Sequence, residues 1–334
     1  MRIFLGKCRY GRELPELPFE FRELFTRGII VVQRKLRGAL ECDLSGDAAA
    51  NAIIEGLESD RPFLVARFGT GEMEAVIRGF DIASSGNFVQ KSLRLLSGKI
   101  GPFWWDNSIK AGLNNNAVFF PPTSEALQRF SNLVVDDAKQ IDVLGIFPEM
   151  PARFRMAVLP QAKIIPLADL SPFWNSRSWM RCLAGKKVLA IHSMPDTIKS
   201  QYAKREMIFK DKSFLPEFVL TAYGSVNSAM GIKTEFPDWF AALKKMEEDI
   251  AKIDFDIALI GCGAYGMSIG AFIKRELGKK AVHLGGMTQM LFGIKGRRWE
   301  QDRKYDDLYT EAWTRPLSHE VPAGINRVED GCYW

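Results

Sequence analysis

Short apolar segments alternate with segments of helical periodicity from Asp47 onward, and this alternation restricts the fold more than any other feature of the sequence. Buried strands of a parallel sheet appear as continuous apolar runs, and each is joined to the next by a crossover, usually a helix. The pattern therefore predicts an α/β fold, a Rossmann-like and mostly parallel sheet with helices on both faces. The predicted strands are Phe63–Ala66, Asp142–Phe147, Lys163–Pro166, Lys187–Ile191, Asp256–Ile260 and Ala281–Leu284.

The predicted helices lie between these strands. Thr123 is expected to cap one of them, and Pro237 is expected in the first turn of another, where proline is tolerated. A helix beginning at Pro195 or Asp196 would carry Gln201 and Arg205 on one face, because they are four residues apart. The remaining predicted helices are Ala48–Leu57, Glu72–Ile77 and Met267–Leu277.

Charge and cysteine content narrow the class of protein. The chain has 45 Lys+Arg against 40 Asp+Glu, a formal net charge of +5, which is too small over 334 residues to indicate nucleic-acid binding. Five cysteines without a C-x-x-C pair are typical of a reducing compartment, and no signal peptide or membrane span is predicted. We therefore expect a cytoplasmic protein, free or attached at the inner face of the plasma membrane.

The excess of positive charge lies at the start of the chain. Residues 1–40 hold nine basic side chains against four acidic ones. We therefore predict a basic N-terminal extension over 1–46 and a catalytic domain over 47–334. The tail of the chain, 300–334, is expected to pack on the catalytic domain. Within the extension, 28–36 is either a solvated helix packed on the main domain or a contact with an anionic membrane surface.

Three strand ends carry residues that suit anionic ligands, which in such sheets bind at the carboxyl ends of the strands. After the first strand, two closely spaced glycines allow the backbone to approach a ligand, Arg67 offers a planar fork for phosphate and Glu72 opens a helix. This turn is either a phosphate or metal-bound phosphate site, or a tight turn in which Glu72 favours the helix N-terminus.

The second strand end, Gly261–Gly266, matches G-x-G-x-x-G between a strand and a helix, the context of a nucleotide-phosphate turn or of a structural glycine turn. The dinucleotide fingerprint also needs an acid about 20 residues later, and His283–Gly286 stands there instead, which disfavours NAD. His283 itself is a candidate base or a core histidine. The basic cluster after it, Lys295, Arg297 and Arg298, is a candidate contact for a diphosphate or an anionic acceptor, or a solvated turn.

Other catalytic classes lack their motifs. His192 and Ser193 end a strand but do not stand in a G-x-S-x-G elbow, so we interpret them as a pocket wall rather than a hydrolase site. No Walker motif and no zinc-binding spacing of His and Cys occurs, which makes a P-loop kinase or a zinc enzyme improbable.

Several segments resemble the GT-D-fold glycosyltransferases of bacterial surface-polysaccharide and glycoprotein glycosylation. The turn Arg67–Glu72 is similar to the Arg-Phe-Gly-Asp-Gly-Glu turn of that family. Four further segments look like its capsule- and lipopolysaccharide-associated branch, namely Ile260–Gly266, His283–Gly286, Phe292–Gly296 and Glu329–Trp334. The resemblance extends over roughly residues 60–334.

The resemblance implies sugar transfer from a nucleotide-sugar, a UDP-sugar first, to a hydroxyl of a surface polysaccharide, glycan or lipid-linked acceptor. In that family an Asp-x-Glu pair accompanies a divalent cation, Mn²⁺ or Mg²⁺, but Thr70 replaces the Asp here. Glu72 is then the remaining metal ligand, or the cation is dispensable and Arg67, Lys295 and Arg297 neutralise the diphosphate.

The site residues implied in this way divide by role. The donor-binding residues are Arg67, Gly69, Thr70, Gly71, Gly261, Gly263, Ala264, Tyr265, Gly266, Gly285, Gly286, Lys295 and Arg297. The pocket residues are His192, Ser193, Gln201, Arg205 and Gln289. If the transfer inverts, as we expect, the base is one of Glu72, Glu74 and His283. Two other classes stay open, an NAD- or S-adenosylmethionine-using enzyme and a non-catalytic polysaccharide-assembly protein.

Overall fold

A single parallel sheet of seven strands organises the structure, a computed structural model that describes residues 41–147, 150–322 and 333–334. The strands are β1 (Phe63–Arg67), β2 (Val143–Ile146), β3 (Lys163–Pro166), β4 (Lys187–His192), β5 (Val219–Gly224), β6 (Ile257–Gly261) and β7 (Lys280–His283). Their order is β3-β2-β1-β7-β6-β4-β5, and every neighbouring pair is parallel. The predicted α/β class and Rossmann-like sheet are confirmed.

Helices connect the strands. They are α1 (Gly46–Glu58), α2 (Thr70–Ala83), α3 (Phe88–Leu96), α4 (Asn107–Asn116), α5 (Ser124–Asp137), α6 (Ala152–Val158), α7 (Pro195–Tyr202), α8 (Arg205–Ile208), α9 (Trp239–Ile250), α10 (Tyr265–Arg275) and α11 (Arg297–Glu300). None of those in the described part of the chain combines the length and apolar character that crossing a bilayer requires.

Two apolar layers cover the two faces of the sheet because successive strand residues point to opposite sides. In β1, Leu64 and Ala66 join one layer with α2, α5, α9 and α10, whereas Phe63 and Val65 join the other with α1 and α7. Trp313, from the segment after α11, is buried in the second layer, and its indole donates a hydrogen bond to the main-chain oxygen of Ile208 at 2.8 Å.

The chain divides into two compact units, residues 39–85 with 103–334 and residues 1–38 with 86–102. The first unit contains the whole sheet. Of the second, the structure describes 86–102, where Asn87 and Gln90 form a reciprocal capping box on α3. The basic segment 1–40 and its possible membrane contact at 28–36 lie outside the described residues.

Helix boundaries follow local capping chemistry. The hydroxyl of Thr123 accepts a hydrogen bond from the Ala126 main-chain nitrogen at 3.1 Å, which confirms Thr123 as the N-cap of α5. Pro237, by contrast, lies before α9, because Asp238 is the N-cap and its carboxylate accepts from Ala241 at 2.8 Å. The expectation that Pro237 occupies the first helical turn was therefore wrong by two residues.

Candidate functional site

A cavity of about 420 Å³ opens at the carboxyl edge of the sheet, where β1, β4, β6 and β7 end. This is the edge at which ligands bind in open α/β sheets, and the volume suits a small-molecule ligand. The predicted site residues in its lining are Arg67, Gly69, Thr70, Gly71, Glu72, His192, Ser193, Gly261, Gly263, His283, Gly285, Gly286 and Gln289. The sheet thus brings together four strand ends that lie far apart in the sequence.

Arg67 places a positive charge in the cavity wall. It is the last residue of β1, its Nε donates to the main-chain oxygen of Phe68 at 3.1 Å, and its guanidinium lies 5.5 Å from the centroid of the Phe147 ring. The surrounding protein lowers the pKa of Arg67 by burial, while the negative charge of Glu72 acts in the opposite direction. Arginine stays protonated in proteins, so the group is a fixed cation with donors for an anion.

The turn after β1 leads directly into the N-terminus of α2. Gly69 is the N-cap and Thr70 the first helical residue, so main-chain N–H groups of the first turn face this end of the cavity without helical partners. The carboxylate of Glu72 folds back over Gly69, where a Cβ atom would lie 2.0 Å from its Oε2. A side chain at this position would displace the carboxylate from its place over the turn. Glu72 favours the helix N-terminus as well as lining the cavity.

Only the first half of the second glycine turn lines the cavity. Gly261 and Gly263 line the cavity, and Gly263 has φ +59°, the left-handed region that favours glycine. The second half of the motif is absent from the lining. Ala264 donates its main-chain N–H to Ala117 at 3.0 Å, Tyr265 stacks on Trp239 with ring centroids 4.9 Å apart, and Gly266 packs against the ring of His283.

Two buried histidines end strands on either side of β6, His192 at the end of β4 and His283 at the end of β7. Burial lowers the pKa of His192 to about 4, and its Nδ1 accepts a hydrogen bond from the Met194 main-chain nitrogen at 3.2 Å. Burial, assisted by the positive charge of Arg67, lowers the pKa of His283 to about 3. Both imidazoles are therefore neutral at physiological pH. Such a low pKa makes His283 a weak proton acceptor.

Eight predicted site residues lie outside the cavity lining, namely Ala264, Tyr265 and Gly266 of the second glycine turn and Glu74, Gln201, Arg205, Lys295 and Arg297. Glu74 is about half exposed and pairs with Arg78 at 3.5 Å, one turn along α2. Lys295 lies over the Tyr309 ring at 5.1 Å, and Arg297, exposed, begins α11.

Gln201 and Arg205 do not share a helix face, contrary to the sequence prediction. Helix α7 ends at Tyr202, and Arg205 begins the separate helix α8. The buried amide of Gln201 donates to the main-chain oxygens of Gly293 and Ala312, whereas Arg205 pairs with Glu217 at 3.2 Å. Gln201 therefore links α7 to two later segments by hydrogen bonds, and Arg205 forms an ion pair with an exposed carboxylate.

The donor set does not form a divalent-cation site by itself. Among the described lining residues, Glu72 supplies the one carboxylate, and the fixed cation Arg67 interacts with it. The single group of three potential metal ligands in the described ranges is Asp196, His319 and Glu320, outside the cavity. There Glu320 accepts hydrogen bonds from the main-chain nitrogens of Asp196 and Thr197, so it caps α7.

Several lining residues were missed by the sequence analysis. They come from the end of α4 and the residues after it, from the turns after β2 and β5, and from residues 333–334; the principal ones are Asn116, Val118, Phe147, Ser225, Asn227, Tyr333 and Trp334. Arg298, which belongs to the predicted basic cluster with Lys295 and Arg297, also lines the cavity. Phe147, Ser225 and Asn227 follow strand ends, so the rule that located Arg67 and His283 also applies to them. Tyr333 and Trp334 carry no such local signal.

Comparison with known proteins finds no match to this chain, whether by family sequence models, among curated proteins or among solved structures.

Proposed function

We propose that the chain is a glycosyltransferase of the GT-D type that transfers a sugar from a nucleotide-sugar, a UDP-sugar first, to a hydroxyl of a surface glycan or lipid-linked acceptor. One observation carries the proposal. The Arg67 guanidinium, the N-terminus of α2 and two glycine turns converge on one cavity of about 420 Å³. These are the groups that recognise a diphosphate, because each supplies positive charge or N–H donors at close range.

The first chemical requirement of sugar transfer is stabilisation of the leaving nucleoside diphosphate. As the bond from the sugar to the diphosphate oxygen breaks, negative charge grows on that oxygen. Arg67 and the first-turn N–H groups of α2 are fixed by the fold before the ligand arrives, so they stabilise this charge without reorganising. Gly69 and Gly71 carry no side chain that would hold the diphosphate away from these donors.

The second requirement, for an inverting reaction, is a base that accepts the proton of the acceptor hydroxyl. Of the three candidates, Glu74 lies outside the cavity lining and His283 is a weak proton acceptor. Glu72 lines the cavity and carries its one carboxylate among the described residues. We therefore assign the base to Glu72 and propose inversion. An NMR analysis of the product anomer tests this, and a retained configuration would refute the assignment.

Nucleotide binding is the most direct test of the proposal. Thermal unfolding is measured with UDP, GDP, CMP, NAD and S-adenosylmethionine, with and without Mn²⁺. The proteins are the wild type, Arg67→Gln and Arg61→Gln, the last an exposed arginine just before the same strand. A ligand at about 100 times its Kd adds about 2.7 kcal/mol, enough for a shift of several degrees.

The outcomes separate the functional classes. We expect UDP or another nucleoside diphosphate to stabilise the wild type and Arg61→Gln but not Arg67→Gln. Stabilisation by NAD or S-adenosylmethionine alone would assign the cavity to a different enzyme class. Stabilisation by none of the five compounds would contradict the proposal and favour an assembly role. A larger shift with Mn²⁺ would show that a cation binds together with the nucleotide.

A further inference from the structure

We infer that Tyr333 and Trp334, here called the aromatic pair, form the part of the cavity that receives the nucleobase; this inference rests on the proposed function. Both residues line the cavity, and both are partly accessible. The fully buried rings of Trp239 and Tyr265 differ from them, because those two rings are covered on both faces by protein. The aromatic pair therefore keeps ring surface available to a ligand.

Four hydrogen bonds hold the aromatic pair in the wall. The buried amide of Gln289 donates to the main-chain oxygen of Tyr333 at 3.0 Å, and Arg298 donates to its hydroxyl at 3.2 Å. Arg315 donates to the main-chain oxygen of Trp334 at 2.8 Å, and the Trp334 indole donates to the main-chain oxygen of Glu320 at 3.4 Å. Because these partners belong to separate segments, the pair is positioned by tertiary structure.

The glycine turn after β7 links the pair to the phosphate-binding end of the cavity. A Cβ atom on Gly285 would lie 3.7 Å from the Arg67 guanidinium, and one on Gly286 would lie 2.2 Å from the Tyr333 ring. Neighbouring Cα atoms are about 3.8 Å apart. The cation and the aromatic ring therefore flank one short turn, and a nucleoside diphosphate is long enough to reach both at once.

The chemistry of the wall suits a base rather than a second anion-binding group. Aromatic rings stack on the face of any base, and the stack tolerates different bases because all have a π-face. Arg298 lies over the Tyr333 ring, 5.3 Å from its centroid. Arg67 would hold the diphosphate while the aromatic pair would hold the base, which gives each end of the ligand a separate partner.

The test compares a ligand that has a base with one that has none. Calorimetric affinities for UDP and for inorganic pyrophosphate are measured on the wild type, Tyr333→Leu and the matched control Tyr333→Phe. We expect Tyr333→Leu to weaken UDP binding by about 5- to 100-fold while leaving pyrophosphate binding unchanged. Tyr333→Phe keeps the ring and is expected to keep the wild-type affinity for UDP.

Each alternative result has a definite meaning. Unchanged UDP affinity in Tyr333→Leu overturns the inference, and so does an equal loss of UDP and pyrophosphate, which would show a displaced glycine turn rather than a lost stack. If the wild type binds pyrophosphate but UDP no more tightly, the base subsite is refuted and the anion site stands. If the wild type binds neither, the proposed function fails and this inference fails with it.

Discussion

Removing the imidazole of His283 should flatten the dependence of stability on pH. His283 is 6% exposed, and its pKa is about 3 against an ordinary value of 6.5, owing first to burial and second to the charge of Arg67. The folded protein therefore keeps this imidazole neutral at pH values where the unfolded chain protonates it. Its contribution to stability is complete above pH 6.5 and is lost progressively as the pH falls toward 3.

The magnitude follows from the size of the pKa difference. One pKa unit corresponds to about 1.36 kcal/mol. At pH 5, protonation of this imidazole therefore stabilises the unfolded state by about 2 kcal/mol relative to the folded state. The wild type should thus lose about 2 kcal/mol more than His283→Gln between pH 7 and pH 5. Because the pKa of His192 is about 4, the wild type should also lose about 2 kcal/mol of unfolding free energy relative to His192→Gln over the same pH range.

Urea unfolding at pH 5, 6 and 7, extrapolated linearly to water, measures these differences. The quantity compared is the change in unfolding free energy with pH, wild type against variant, so that carboxylates common to both cancel. His319→Gln, on an exposed histidine outside the cavity, controls for the removal of a histidine as such. Parallel curves for the wild type and His283→Gln would refute the view that this imidazole is buried and neutral.

Three further predictions concern the walls and the chemistry of the cavity. Gly266→Ala should lower the unfolding free energy by about 1–3 kcal/mol in urea melts, because its Cβ atom would lie 2.2 Å from Nε2 of the buried His283 ring. Tyr265→Phe should leave the unfolding free energy nearly unchanged, since the buried hydroxyl has no hydrogen-bond partner within the described ranges. Tyr265→Leu loses the stack on Trp239 and should lower the unfolding free energy by about 2–4 kcal/mol. Glu72→Gln should lower turnover by about 100-fold or more in a transfer assay while nucleotide binding persists, and full activity would refute its role as base.

The sheet was largely predictable from the sequence because buried parallel strands leave continuous apolar runs. Six of the seven strands carry that signal. The exception is β5, one of the two edge strands, in which every residue is exposed or half-buried and Val219 is 64% exposed. The other edge strand, β3, was predicted because Ile164 and Ile165 are fully buried, so the missing signal in β5 reflects its poor cover.

The site was predictable only as far as it depends on strand ends. Arg67, His192, Gly261 and His283 all follow from that rule, because parallel strands place their carboxyl ends on one edge. The aromatic pair does not, since its position depends on hydrogen bonds to Gln289 and to residues near the end of the sequence. The pairing of Gln201 with Arg205 failed because a continuous helix was assumed where two short ones meet.

The order of the strands has a consequence for how the chain is synthesised. β1 lies between β2 and β7, and Phe63 pairs with Lys280, so one edge of β1 stays unpaired until β7, far later in the sequence, has left the ribosome. During that interval an apolar edge is open to pairing with other chains. Contacts between such distant residues also slow folding. We therefore expect a product that ends before β7 to aggregate, because it would expose the centre of its own sheet.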